Sequence, residues 1–136
     1  QASIPGAQAN DEFRTALEDI YTEEFDGKLE SFTYAPEAYD LVTLVALAAT
    51  KAESTDSAAI QENLRAVSGS DGGEECNTFA DCVKLITDGK DIQYVGKAGT
   101  GPLNENNDPG SAAIGIYKYD DTNTPIFQKA VEGVTK

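Results

Sequence analysis

The sequence predicts an α/β chain in which helices come first, over about residues 10–88, and short strands last, over about 92–127. Three observations carry this reading. Apolar residues recur at helical spacing as far as about Thr87. After Lys90 the pattern changes to short runs rich in Ile, Val and Tyr, separated by clusters of Gly and Asn. The chain of 136 residues is 40% hydrophobic, too apolar for a disordered segment despite its net charge of −14. That length suits one domain with a modest core.

The first helix is expected over 10–25. Asn10 or Asp11 can cap it, and Phe13, Leu17, Ile20, Tyr21 and Phe25 fall on one face. Asp26-Gly27 ends it, and Lys28 to Tyr34 is short and extended. A second helix opens at Pro36, where a first-turn proline loses no hydrogen bond, and runs to about Ala52. From Tyr39 through Ala49 it is apolar nearly all round, so it needs cover on several sides. Thr55-Asp56-Ser57 starts a third helix with Ile60, Leu64 and Val67 on one face. Ser68 to Glu75 reads as a loop rich in Gly and Asp. Thr78-Phe79-Ala80-Asp81 has capping-box spacing, with Asp81 reaching back toward the cap amide. Helix four then runs to about Thr87 and stops near Gly89. Strands are expected at Ile92–Val95, Ala112–Tyr119 and Pro125–Phe127. With helices first and strands last, the chain cannot close a doubly wound sheet by itself.

Cys76 and Cys82 stand six apart, and the chain has no His. Structural zinc takes four N or S ligands, and a redox motif takes Cys-x-x-Cys. A local disulfide or two buried free thiols remain, and we favour the disulfide, which implies an oxidising compartment. With Thr78 as cap, Cys82 lies one turn into helix four and Cys76 just outside it. A bridge there would clamp the entering chain, adding about 2–3 kcal/mol by restricting the unfolded state.

The 24 acids outnumber 10 bases, and both halves of the chain share the excess. Such a surface repels nucleic acid and anionic headgroups, so no nucleic-acid partner is expected. Solubility accounts for the charge. The longest apolar-rich segment, Leu41 to Ala49, is too short to span a bilayer. Gln1-Ala2-Ser3-Ile4-Pro5 has neither the basic start nor the apolar run of a signal peptide. Without an initiating Met, the chain is expected to be a piece of something longer.

Catalytic constellations do not emerge. Ser-His-Asp and Cys-His sites need the absent His. Adjacent carboxylates such as Glu23-Glu24 and Glu74-Glu75 do not face each other on a helix. Gly96 to Gly101 suggests a phosphate loop, but lacks the Gly-Lys-Ser/Thr ending and a following helix. Asn104 to Asp108 offers oxygens, but Pro109 stands where a calcium hand continues. A polar turn is the expectation there. No enzyme activity, cofactor or metal is expected.

Four segments, in order, resemble the C-terminal part of the type I periplasmic binding proteins, in the leucine/isoleucine/valine-binding group. They are Tyr34-Ala35-Pro36-Glu37-Ala38-Tyr39-Asp40 before an apolar helix, and Ser54-Thr55-Asp56-Ser57-Ala58-Ala59-Ile60 before Leu64. Then come Gly89-Lys90-Asp91-Ile92-Gln93-Tyr94 leading to Gly101-Pro102-Leu103-Asn104, and Asn107-Asp108-Pro109-Gly110-Ser111 leading to Gly115-Ile116-Tyr117. The Cys76…Cys82 pair resembles lipid-anchored members from actinobacteria. The chain departs from the group where Glu105 directly follows Asn104 and Asn107 replaces a Gly, which shortens that turn.

The resemblance implies the C-terminal third of a two-lobed fold that closes on a small ligand. Residues 1–100 would contribute to the first lobe, and 101–136, with a hinge crossing near Gly101, to the second. It implies a solute-binding component of an ABC importer, binding an amino acid or similar polar molecule and docking on a membrane permease. It places the protein outside the cytoplasm, lipid-anchored in its full length. An aromatic before the Tyr-Asp helix lines the cleft in relatives, which makes Tyr34 the candidate ligand-binding residue. The alternatives are the sensor domain of a receptor and a stand-alone acidic interaction domain, the latter requiring the Leu41–Ala49 helix to be fully covered. Exposed apolar surface on that helix would drive pairing of two copies.

Overall fold

The computed structural model describes residues 2–6, 9–99 and 101–134. It is mixed α/β, with four helices, a three-stranded antiparallel sheet and a two-stranded parallel one among the described residues. The elements are β1 (Ala2–Pro5), α1 (Asp11–Phe25), α2 (Ala35–Ala52), α3 (Ser57–Ser68), β2 (Glu74–Cys76), α4 (Phe79–Thr87), β3 (Ile92–Tyr94), β4 (Ser111–Tyr119) and β5 (Pro125–Val134).

The helices begin where short polar side chains can accept from free first-turn amides. Asn10 Oδ1 accepts from Phe13 N at 2.8 Å, and Asp56 Oδ1 from Ala58 N at 3.0 Å. Thr78 Oγ1 accepts from Asp81 N at 3.2 Å, while Asp81 Oδ2 takes the Thr78 hydroxyl at 2.7 Å and not the cap amide. Pro36 sits in the first turn of α2.

The core forms around a β-α-β unit. β2 and β3 pair in parallel, which requires a crossover, and α4 supplies it. α2 and α3 pack together, α2 lies against α4, and α3 against β3. Leu47, Ala48, Val67 and Cys82 are completely buried, with Leu44, Cys76, Ile92 and Tyr94 joining them. Cys76 and Cys82 are disulfide-bonded, with Cα atoms 5.4 Å apart, so the end of β2 is tied to the first turn of α4. Gly73, at φ +139°, is where β2 approaches β3: a Cβ there would lie 2.5–2.7 Å from the Ile92 backbone.

The second sheet has the order β1-β4-β5, all antiparallel, with a bulge between Ile116 and Tyr117. All of β5 is solvent-exposed. The β4–β5 turn is closed by Asp120, whose Oδ1 accepts from Thr122 N, Thr122 Oγ1 and Thr124 N. Those donors, the Thr124 amide first, hold its carboxyl below the usual carboxylate range.

The structure corrects the expected order of elements. Strands do not come only last: β1 precedes α1, and β2 lies between α3 and α4. β1 is too short to show an alternating pattern, and its pairing with β4 defines it. β2 falls in the stretch read as a loop. Glu74-Glu75 has no apolar signal, and the strand forms because Ile92–Tyr94 offers a parallel partner. β5 continues past Phe127 to Val134 through a segment broken by Lys129, Glu132 and Gly133. The apolar stripe of α1 is also not a core face, since none of its residues is buried.

Candidate functional site

Tyr34 stands at the corner before α2 with φ 64° and ψ 2°. The left-handed region is unfavourable for a bulky L-residue and costs about 1–3 kcal/mol, so it persists only where surroundings impose it. Here Ala35 N donates to Phe32 O at 3.1 Å and Ala38 N to Tyr34 O at 2.9 Å, which closes the corner into the helix. The side chain stays half-exposed. It lines a cleft of about 370 Å³. Arg14 and Glu18 enter the cleft from α1, Leu29 and Phe32 from the segment before Tyr34, and Tyr117 from β4. The walls therefore come from both the helical part and the three-stranded sheet. They combine aromatic surface with a few charges, which suits a small ligand. The Arg14 guanidinium lies over the Phe32 ring, 4.4 Å from its centroid.

A larger hollow of about 550 Å³ lies beside the disulfide, lined by Glu74, Glu75, Asp81, Lys84, Asp88 and Lys90. Its charges are partly spent on each other. Lys90 Nζ meets Glu74 Oε2 at 2.8 Å, and that hydrogen bond raises the Lys90 pKa. It has no aromatic wall, and the Tyr34 cleft is the better candidate on chemistry although it is smaller.

Near the start of α2 a buried carboxylate fixes the path of the chain. Asp40, 2% exposed, accepts from Tyr94 Oη at 2.9 Å, Lys97 N at 2.8 Å and Ala98 N at 2.7 Å. The glycine-rich segment set aside as a phosphate loop presents two amides, Lys97 N and Ala98 N, to an anion within the chain, the Asp40 carboxylate. Thr100 of that motif lies outside the described residues. Gly96 is required here because a Cβ would run into the Asp40 carboxylate. Burial, then the Asp40 charge, raises the Tyr94 pKa well above the usual phenol value. Ser68 and Ser70 at the end of α3 hold the next turn: Ser68 Oγ accepts from Leu103 N at 3.0 Å, and Ser70 Oγ donates to Leu103 O. Within the turn, Asn104 Oδ1 accepts from Asn106 N and Asp108 N. This oxygen, considered above as a calcium ligand, closes a polar turn.

The disulfide points to an oxidising, extracytoplasmic compartment. No described helix is long and apolar enough to cross a membrane. Compared with known proteins, the chain matches no family model, no curated protein and no solved structure at a significant level. Of the expected site residues, Tyr34 reaches the cleft, and the cysteines pair elsewhere in the fold. Sequence reasoning missed Arg14, Glu18 and Tyr117, which no local motif joins. It quoted Asp40 only within a motif, although an acid amid the apolar face of α2 was a signal for a buried partner.

Proposed function

We propose that this chain is part of an extracytoplasmic solute-binding protein that captures an amino acid or similar small polar ligand for an ABC importer. One observation carries the reading: an aromatic residue in a strained corner lines a cleft walled by two different parts of the fold. Strain of this kind concentrates at ligand clamps. The disulfide fits the compartment in which such proteins work, and a lipid anchor on the whole protein belongs to the same proposal. On this reading ligand binding favours one disposition of the cleft walls, and the bound form docks on the permease. The chain needs no catalytic group for this task.

The stand-alone interaction domain is less well supported. It called for full cover of α2, yet Leu41 and Val42 are 62% and 69% exposed. The test is a thermal-shift screen of the protein against the free amino acids and their amides, with Tyr34→Ala alongside. A ligand that raises the melting temperature of the wild type and not of Tyr34→Ala supports the proposal. A screen with no stabilising ligand, or one that Tyr34→Ala leaves unchanged, contradicts it.

A further inference from the structure

The Tyr34 cleft has walls on elements that hardly pack together. Tyr34 caps α2, whereas Tyr117 stands on β4. No strand of the three-stranded sheet makes an extended contact with α2, α3 or α4. The placement of β4 therefore depends on the connection that joins it to β3. Polar contacts fasten that connection at both ends. At its start, Asp40 accepts from Lys97 N at 2.8 Å and Ala98 N at 2.7 Å. The carboxylate is 2% exposed, and Tyr94 Oη also donates to it, at 2.9 Å. At its end, Ser111 Oγ accepts from Gly101 N at 2.8 Å and donates to Gly99 O at 3.1 Å. Ser111 is the first residue of β4, the strand that carries Tyr117. Asp40 itself lies within two turns of Tyr34 on α2. A rigid helix thus leads from Tyr34 to Asp40, and a fastened connection leads from Asp40 to the wall that holds Tyr117.

Resting on the binding function proposed above, we infer that Asp40 is a positioning residue that couples the two walls of the cleft. It does not line the cleft itself. Hydrogen bonds to a carboxylate are about twice as strong as those between neutral groups. In a buried site they are also costly to leave half-made. The connection therefore has one favoured path, and β4 one favoured placement. Close packing leaves this path no slack, because a Cβ on Gly96 would collide with the Asp40 carboxylate. Ser68 and Ser70 clamp the same connection farther on, at Leu103. Cutting the Asp40 link should therefore widen the range of wall separations without freeing the sheet.

Double electron–electron resonance tests this, with spin labels at Ala38→Cys on α2 and Lys118→Cys on β4. Both positions are exposed, and the labels are attached with the disulfide intact. The otherwise unchanged chain is expected to give one narrow distance distribution. Asp40→Asn should widen it about twofold, because the new NH2 group faces a backbone donor that then has no acceptor. Ser111→Ala should widen it less. Tyr94→Phe keeps both amides on Asp40 and should leave the width unchanged. Leu47→Ala reads loss of stability alone, since Leu47 lies on α2 outside this network, and should also stay narrow. Ser111 is not buried, so its variant decides the matter if Asp40→Asn does not fold. A folded Asp40→Asn or, failing that, Ser111→Ala with the unchanged chain's width overturns the assignment. Equal widening by Leu47→Ala overturns it too. The measurement uses no ligand, so a failed amino-acid screen overturns the binding function and leaves the coupling of the walls standing.

Discussion

The β-α-β unit with α2 and α3 and the three-stranded sheet solve the problem of burial differently. In the first, Leu47, Val67, Cys82 and Ile92 are 0–1% exposed and packed around a disulfide. In the second, no residue of β5 is buried, and Ile126, Phe127 and Val131 keep 39–46% of their surface in solvent and Val134 77%. β5 is held by its ladder with β4 and by pairs such as Tyr117 and Phe127, whose rings meet edge to face at 5.5 Å. The difference teaches that stability resides in the helical part, while the sheet is the more easily displaced wall of the Tyr34 cleft. A ligand cleft between unequal walls can change shape without unfolding the chain.

Mutations can break this comparison. Leu47→Ala should cost about 2–5 kcal/mol in urea unfolding followed by circular dichroism, because it opens a cavity in a fully buried site. Removing the disulfide by Cys76→Ser with Cys82→Ser should cost about 2 kcal/mol by freeing a short loop in the unfolded chain. Phe127→Ala should cost less than about 1 kcal/mol, since it loses one cross-strand pair on an exposed strand. If Phe127→Ala proves as damaging as Leu47→Ala, the sheet is not the weaker part.

The pH dependence sharpens the same contrast. Tyr94 in the core has a raised pKa in the folded state. Its contribution to stability is therefore complete below the unfolded phenol pKa of about 10 and declines as pH rises above it, because the unfolded chain releases the proton first. Unfolding measured from pH 8 to 11 should show this decline, and Tyr94→Phe should remove Tyr94's share of it. An equal slope in the variant would contradict the Asp40–Tyr94 contact.

Legibility in the sequence followed local physics. The four helices could be read because caps such as Asn10, Asp56 and Thr78 lie next to periodic apolar residues. Spacing and the lack of His narrowed Cys76 and Cys82 to a bridge or two free thiols, and the structure has the favoured bridge. β1 and β2 could not be read, since each exists only by pairing with a strand far along the chain. The expected core face of α1 failed because periodicity shows a stripe and not what covers it. At the site, Tyr34 came from resemblance alone. Arg14 and Glu18 were hidden because their meaning depends on Phe32 and Tyr117, brought beside them by the fold.

The most direct measurement is a heteronuclear NMR titration of the protein with the amino acid or amide that stabilises it most in the thermal-shift screen. The account predicts saturable shifts at Arg14, Glu18, Phe32, Tyr34 and Tyr117, with the amides around Cys76 and Lys84 unmoved. Shifts confined to the hollow beside the disulfide, or no saturable shift at all, would contradict it.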